Sequence, residues 1–283
     1  TTEKLEEIAY RIRRLSVEMI ACGRWGHIGG SFSLAEILAC LYFHDLQVDP
    51  ARPDWPLRDR LVLSKAHASP ALYAALALKG FFPVEELYTY CELGSRLEGH
   101  TDLTRTPGLE ASGGPLGQGL SVAVGLAMGY RLHENAHNRA YCILGDGECQ
   151  EGQVWEAAEL AVQLRLERFI VLLDDNKKQL DGPVARTRGG QDLKAKFAAF
   201  GWHTQQAPGH DATSIVAAIQ RAQEEAEKPS LVVLDTQKGL GADFSEKADF
   251  NHYMVVDGDT ARQAVAEIRR RLEKGTYPWG EIQ

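Results

Sequence analysis

No stretch of the 283 residues is apolar for long enough to cross a bilayer as a helix, so the sequence offers no candidate membrane span. A basic excess is missing too. Thirty-one Lys and Arg against 39 Asp and Glu leave a formal charge of −8, without the positive footprint that nucleic-acid binding requires. The one arginine run, Arg269 to Arg271, lies between Glu267 and Glu273 on a helical pattern and reads as a solvated face. Cysteine is sparse and scattered. Cys22, Cys40, Cys91, Cys142 and Cys149 contain no CxxC pair and no Cys/His spacing suited to zinc, which argues against a disulfide framework and for a reducing cytoplasm. Internal repeats, low-complexity segments and a domain-splitting linker are absent, and the opening TTEKLEEIAYRIRRLSVEMI reads as a charged helix, unlike a signal peptide.

What is present is enough apolar sequence, 44%, to build a full core in a chain of this length. Leu5, Ile8, Ile12, Leu15 and Met19 recur at helical spacing and predict an amphipathic helix over 3–22, stopped at Gly23. A glycine-marked loop, GRWGHIGGS, precedes a second helix expected over Leu34 to His44, and Pro50, Pro53 and Pro56 mark the next loop. Four short apolar runs read as buried strands: 61–64, 141–144, 169–174 and 231–235. Helical patterns such as Gly117–Leu132, Gly152–Arg165 and Asp211–Glu227 separate them. The alternation predicts an α/β fold with a mainly parallel sheet covered by helices on both faces, as one domain over 1–283.

In open sheets of this class ligands bind beyond the carboxyl ends of the strands. There the sequence places SKAHAS, GDGECQEG, DNKKQLDG and TQKGLG. By itself Asp146 between Gly145 and Gly147 reads equally well as a turn. A βαβ unit, however, would bring Asp146 and Asn176 to the same rim, where two oxygens could hold a hard cation such as Mg²⁺ together with ligand phosphates. The flanking glycines permit close approach, and the next helix start offers N–H groups to an anion.

The 28 residues between Gly147 and Asn176 give this pair a spacing that resembles the thiamine diphosphate enzymes. That resemblance implies Mg²⁺ on the cofactor's diphosphate, held by Asp146, Asn176 and the carbonyl of Lys178. GRWGHIGGSFSLAEIL, LSKAHASPALYAAL, EGHTD, GGPLGQGLSVAVGLA and KGLGADFSEKADFNH are similar, in order, to the transketolase motifs. The likeness implies that His27, His67, His100 and His252 line the cofactor cleft, binding diphosphate oxygens or ketose hydroxyls and assisting proton transfer, tasks suited to imidazole. It implies that Gly114, Pro115 and Leu116 contact the aminopyrimidine and prop the cofactor in a bent form, and that Glu151 lies near a subunit interface on a proton path between active sites. His44, His133, His137, His203 and His210 match no motif and are expected to be surface or satisfied core residues. Ala66, Thr101-Asp102 and Asn251-His252-Tyr253 depart from the usual Gly, Pro-Glu and Trp-His-Gly, which leaves the substrate open.

A full-length transketolase is more than twice this long, and the part that would supply the glutamate at the pyrimidine ring lies beyond this sequence. Two readings stand: one subunit of a split transketolase, or the first domain of a longer chain. The helix expected over Thr260 to Lys274, followed by TYPWGEIQ, favours the first. The resemblance then implies transfer of a two-carbon ketol unit from a ketose to an aldose, with thiamine diphosphate and Mg²⁺ for cofactors. The implied partner is the C-terminal half of a transketolase on a second chain, arranged α2β2. The rival enzyme reading, a 2-oxo acid dehydrogenase α-type subunit, lacks the four-histidine pattern. A non-catalytic scaffold or regulatory homologue would have lost Asp146, Asn176 or several histidines. The sugars, phosphorylated or not, and the pathway stay open.

Overall fold

The computed structural model describes residues 1–133 and 137–278. Five strands build the main sheet: β1 (Arg60–Leu63), β2 (Ala140–Gly145), β3 (Phe169–Asp175), β4 (His203–Pro208) and β5 (Ser230–Asp235). Their order is β1-β2-β3-β5-β4, and every neighbouring pair is parallel. The four apolar runs are β1, β2, β3 and β5. The sequence reading did not include β4, HTQQAP. It is an edge strand with one partner and is mostly half-buried, so it needs no apolar run to fold.

The helices are α1 (Thr2–Cys22), α2 (Ala35–Cys40), α3 (Ser69–Lys79), α4 (Gln118–Leu132), α5 (Gly152–Gln163), α6 (Leu193–Ala199), α7 (Ala212–Glu224) and α8 (Gly258–Glu273), besides shorter turns. They cover both faces because strand side chains alternate. Leu61, Leu63, Tyr141, Ile143, Ile170, Leu172, Val232 and Leu234 pack into one core with α1, α2, α3, α7 and α8. Val62, Cys142, Leu144, Val171, Leu173, Leu231 and Val233 pack into the other with α4, α5 and Phe197 of α6. Strands buried on both faces have no room for polar alternation, hence the continuous apolar runs.

Helix boundaries follow local chemistry. Asp211 accepts from the Thr213 and Ser214 N–H groups at the start of α7, and Asp257 accepts from Thr260 N–H at the start of α8. α1 stops before Gly23 as expected, but Arg24, at φ 65, takes the left-handed conformation. The helix expected over 34–44 is divided: α2 passes into a wider π-turn, Leu41–Asp45, which keeps Leu41 and Tyr42 buried and releases the chain into an extended Leu46. Of the expected TYPWGEIQ finish, residues 279–283 lie outside the described residues. Among the described residues no helix is long and apolar enough to cross a membrane.

Candidate active site

Adjacent parallel strands end side by side, so β2 and β3 deliver Asp146 and Asn176 to one corner. Asp146 is buried; its Oδ1 accepts the Gly147 N–H at 2.8 Å and its Oδ2 the Lys177 N–H at 2.6 Å. Lys177, at φ 67, occupies the left-handed region, which costs a non-glycine residue roughly 1 kcal/mol and is often found at functional sites. Asn176 Oδ1 accepts the Lys178 N–H at 3.2 Å, and the Lys178 carbonyl accepts from Lys238 Nζ at 3.0 Å.

A carboxylate, a side-chain amide and a backbone carbonyl thus lie together, each oxygen still carrying a second lone pair. They are hard ligands fit for a divalent cation. The electrostatics agree. Burial, with Asp174 adding to it, pushes the Asp146 carboxyl up to about 7, a site short of positive charge. Among the described residues no group of three or more His, Cys, Asp or Glu forms a metal cage, so a cation here would draw its remaining ligands from phosphate and water.

Asp174, wholly buried, orients this corner. Its Oδ2 accepts from Ser33 Oγ at 2.6 Å, Asn176 Nδ2 at 2.9 Å and the Lys65 ammonium, and its Oδ1 from the Thr236 hydroxyl. The Asn176 amide is thereby turned with its nitrogen on Asp174, which leaves its oxygen a lone pair beyond the bond from Lys178 N–H. Burial alone would raise the Asp174 carboxyl; Lys65 and the hydrogen bonds outweigh it and hold it below its usual value.

Four histidines from four separate segments converge beside the corner. The ring of His27 lies 5.2 Å from His67, 5.9 Å from His100 and 5.2 Å from His252, and His67 lies 4.8 Å from His252. Lys238 joins the bowl to the oxygen corner, since its Nζ also lies within hydrogen-bond distance of His252 Nδ1, at 2.8 Å. Burial, then like charge from His100, Lys238 and Lys65, lowers His27 to about 4. Burial and then Lys238 lower His252 to about 3, and burial with Lys65 holds His67 well below its usual value. Burial and then Lys65 lower Lys238 to about 7. At neutral pH His27, His67 and His252 are therefore neutral imidazoles, able to donate and to accept.

A third wall is the loop before α4. Gly117 lies at φ 82, and a Cβ there would sit 2.9 Å from the Cβ of Glu151. Gly113 approaches Ala66 so closely that a Cβ would meet it at 2.3 Å, and Gly114 has φ 155. Pro115, Leu116 and Glu151 are exposed and lie along the same edge. Buried Glu148 ties three loops together: Oε1 accepts from Ser64 Oγ at 2.5 Å and Gly117 N–H at 2.8 Å, and Oε2 from Gly145 N–H at 3.0 Å.

Residues 5–273 match the family model described as transketolase, thiamine diphosphate binding domain. The chain belongs to the transketolase family. It is 46% identical over 266 residues to the 6-deoxy-6-sulfo-D-fructose transketolase subunit SqwG of Clostridium sp. (strain MSTE9), covering 94% of this chain and 96% of that one. It is 35% identical over 272 residues to one subunit of the apulose-4-phosphate transketolase of Phocaeicola vulgatus, covering 96% of each. The transketolase of Campylobacter jejuni superimposes with a TM-score of 0.88 at 33% identity over 95% of this chain. This transketolase-family chain spans 43% of that structure's length, and nearly all of the two subunits.

The structure brings His27, His67, His100 and His252 into one cluster, sets Asp146, Asn176 and Lys178 at one corner, and puts Gly114 beside His100. Three groups went unassigned. Lys65 and Lys238 lay inside quoted motifs, and a lysine beside an expected anion site was their signal. Asp174 lies one residue before the end of an otherwise apolar strand, where a buried carboxylate must find a partner. Of the unassigned histidines, His44 pairs with Asp45 and His203 with Ser230 away from the site, whereas His210 is buried and bonds Glu36 and the Gln237 N–H, two residues from Gly239 of the site loop.

Proposed function

We propose that this transketolase-family chain is the diphosphate-binding subunit of a two-chain enzyme that moves a two-carbon ketol unit from a ketose to an aldose. The observation that carries the reading is the oxygen corner of Asp146, Asn176 and Lys178 joined through Lys238 and His252 to a cluster of four histidines. Support comes also from the relatives covering nearly the whole chain, which are named as transketolase subunits.

Thiamine diphosphate, when bound, supplies the carbon nucleophile and electron sink that ketol transfer needs. The rest falls to the protein. Asp146, Asn176 and the Lys178 carbonyl would hold Mg²⁺, which would neutralise the diphosphate, with Lys65 and Lys238 beside them. His27, His67, His100 and His252 bind sugar hydroxyls and move protons at their ring nitrogens. Gly114, Pro115 and Leu116 support the pyrimidine end, and Glu151 faces the partner. The whole chain acts as one domain, in the cytoplasm where its five cysteines stay reduced. The partner chain completes the cleft, two copies of each giving twofold symmetry. SqwG is named for 6-deoxy-6-sulfo-D-fructose, which makes that sugar the first donor to assay.

Calorimetric titration of the assembled complex with thiamine diphosphate tests the reading. Binding is expected only with Mg²⁺ present, and Asp146→Ala should weaken it at least about tenfold, a loss of about 1.4 kcal/mol. Equal affinity for D146A and wild type would falsify the metal assignment.

A further inference from the structure

The bowl has an inside and an outside. Its inner edge is the Lys178 carbonyl, bonded to Lys238, which bonds His252. His252 and His67 come next, then His27. Beyond His27 stands the ring of Tyr253, 4.9 Å from it and nearly perpendicular at 73°. Trp25 follows, 5.3 Å from Tyr253 and 46% exposed. Anything that reaches the inner histidines from solvent along this line passes the aromatic pair.

That pair is rigidly mounted. Trp25–Gly26 and Met254–Val255 form a short antiparallel ribbon, Trp25 opposite Val255 and Gly26 opposite Met254. On either side of it, Val256 N–H donates to Arg24 O at 3.1 Å and Gly29 N–H to Asn251 O at 3.0 Å. Asn251, in turn, is anchored by its Nδ2 to the Lys238 and Ser245 carbonyls. The rim is therefore fixed to the segment that carries His27 and to the loop that carries Lys238.

An open-chain sugar has two kinds of surface. Its hydroxyls suit imidazoles, and its C–H edges suit an aromatic face. We propose that Tyr253, backed by Trp25, is the specificity-determining wall of the sugar site, stacking against the C–H face of the ketose end that projects past His27. The inference rests on the ketol-transfer reading above and assigns to that site a preference for donors long enough to reach the rim. A ketose that stops short of Tyr253 gains no contact there.

The test uses the chain assembled with its partner, thiamine diphosphate and Mg²⁺, comparing D-fructose 6-phosphate and D-xylulose 5-phosphate as six- and five-carbon donors to one aldehyde. Loss of an aromatic contact is worth about 0.5–1.5 kcal/mol, or about 2- to 10-fold. Tyr253→Gly should lower the six-to-five-carbon ratio of kcat/KM by that factor while cofactor affinity stays at the wild-type value. Tyr253→Phe should restore the ratio, and Trp25→Ala, a separate route to the same wall, should lower it part of the way. An unchanged ratio in Y253G, or a loss explained wholly by weaker cofactor binding, overturns the proposal. Should wild type transfer no ketol unit from either donor or from 6-deoxy-6-sulfo-D-fructose, the reading of the reaction has failed, and saturation-transfer NMR of fructose 6-phosphate decides on the wall. Transfer from aromatic protons to the sugar in wild type and Y253F, lost in Y253G, supports it; transfer surviving in Y253G, or missing from wild type, sinks it.

Discussion

A carboxylate buried as deeply as Glu148 keeps its charge only if hydrogen bonds replace its water. Burial raises its pKa, while Ser64, Gly117 and Gly145 pull the other way. Since those three donors sit on three different site loops, Glu148→Ala should cost about 1–3 kcal/mol for the orphaned N–H groups, read by urea denaturation. It should also weaken thiamine diphosphate binding in the same protein. His27 makes a pH prediction. It faces His67, His100, His252 and Tyr253, with Lys65 and Lys238 nearby, and its folded pKa lies at about 4, below the ordinary 6.5. Both states are neutral above pH 6.5. As pH falls from 6.5 toward 4 the unfolded chain takes up the proton first, so His27 lowers stability through that window. Denaturation midpoints of the ligand-free protein at pH 7, 6 and 5 should show a shallower acid decline in His27→Gln than in wild type. Parallel declines would count against the depressed pKa.

At the scale of elements, the site loop 237–241 is held from behind by buried charge. Arg13 of α1 pairs with both carboxylate oxygens of Glu36 in α2 and donates to the Leu240 carbonyl at 3.0 Å. It also contacts the Tyr277 hydroxyl, so α1, α2 and the segment after α8 meet at one guanidinium. Burial opposes the Glu36 charge, yet Arg13 and His210 hold that carboxyl down to about 2. His210 completes the link, accepting the Gln237 N–H at 2.9 Å. Removing one partner of such a pair strands the other, so Arg13→Met should cost about 3–5 kcal/mol, visible as a lower melting temperature. A melt within error of wild type would show that Glu36 is neutral without Arg13. Neither Arg13 nor Glu36 was legible as a pair, because nothing in their sequence separation points from one helix to the next. The same holds for β4, whose polar residues carry no strand signal until β5 lies beside them.

For the whole molecule the proposed function turns on the surface beside the cleft. Leu116, Val122, Met128 and Leu160 are exposed on the edge formed by the loop before α4, by α4 and by α5, with Glu151 among them. The proposed two-chain enzyme would cover this edge with its partner, which would take these apolar side chains out of water. The isolated chain is expected to show no ketol transfer and to gain it when mixed with the partner chain, in a complex whose light-scattering mass fits two copies of each. Full turnover by the isolated chain would contradict the two-chain reading.

Much of this protein was determined by its sequence alone. Apolar runs of strand length, separated by helical periodicity, specify a parallel sheet covered on both faces, and function concentrates at the strand ends of such a sheet. Asp146 and Asn176 were legible as a pair because one βαβ unit gives them a readable spacing. The four histidines were legible only through their motifs, since they come from segments far apart in the chain. Only the tertiary structure decided what surrounds those residues: the hold of Asp174 on Asn176, the bridge of Lys238, the grip of Glu148 on three loops, and Tyr253 beside His27. Such contacts join residues tens to hundreds of positions apart or depend on which way a side chain turns, and hydrogen-bond geometry and burial exist only once the chain has closed around them.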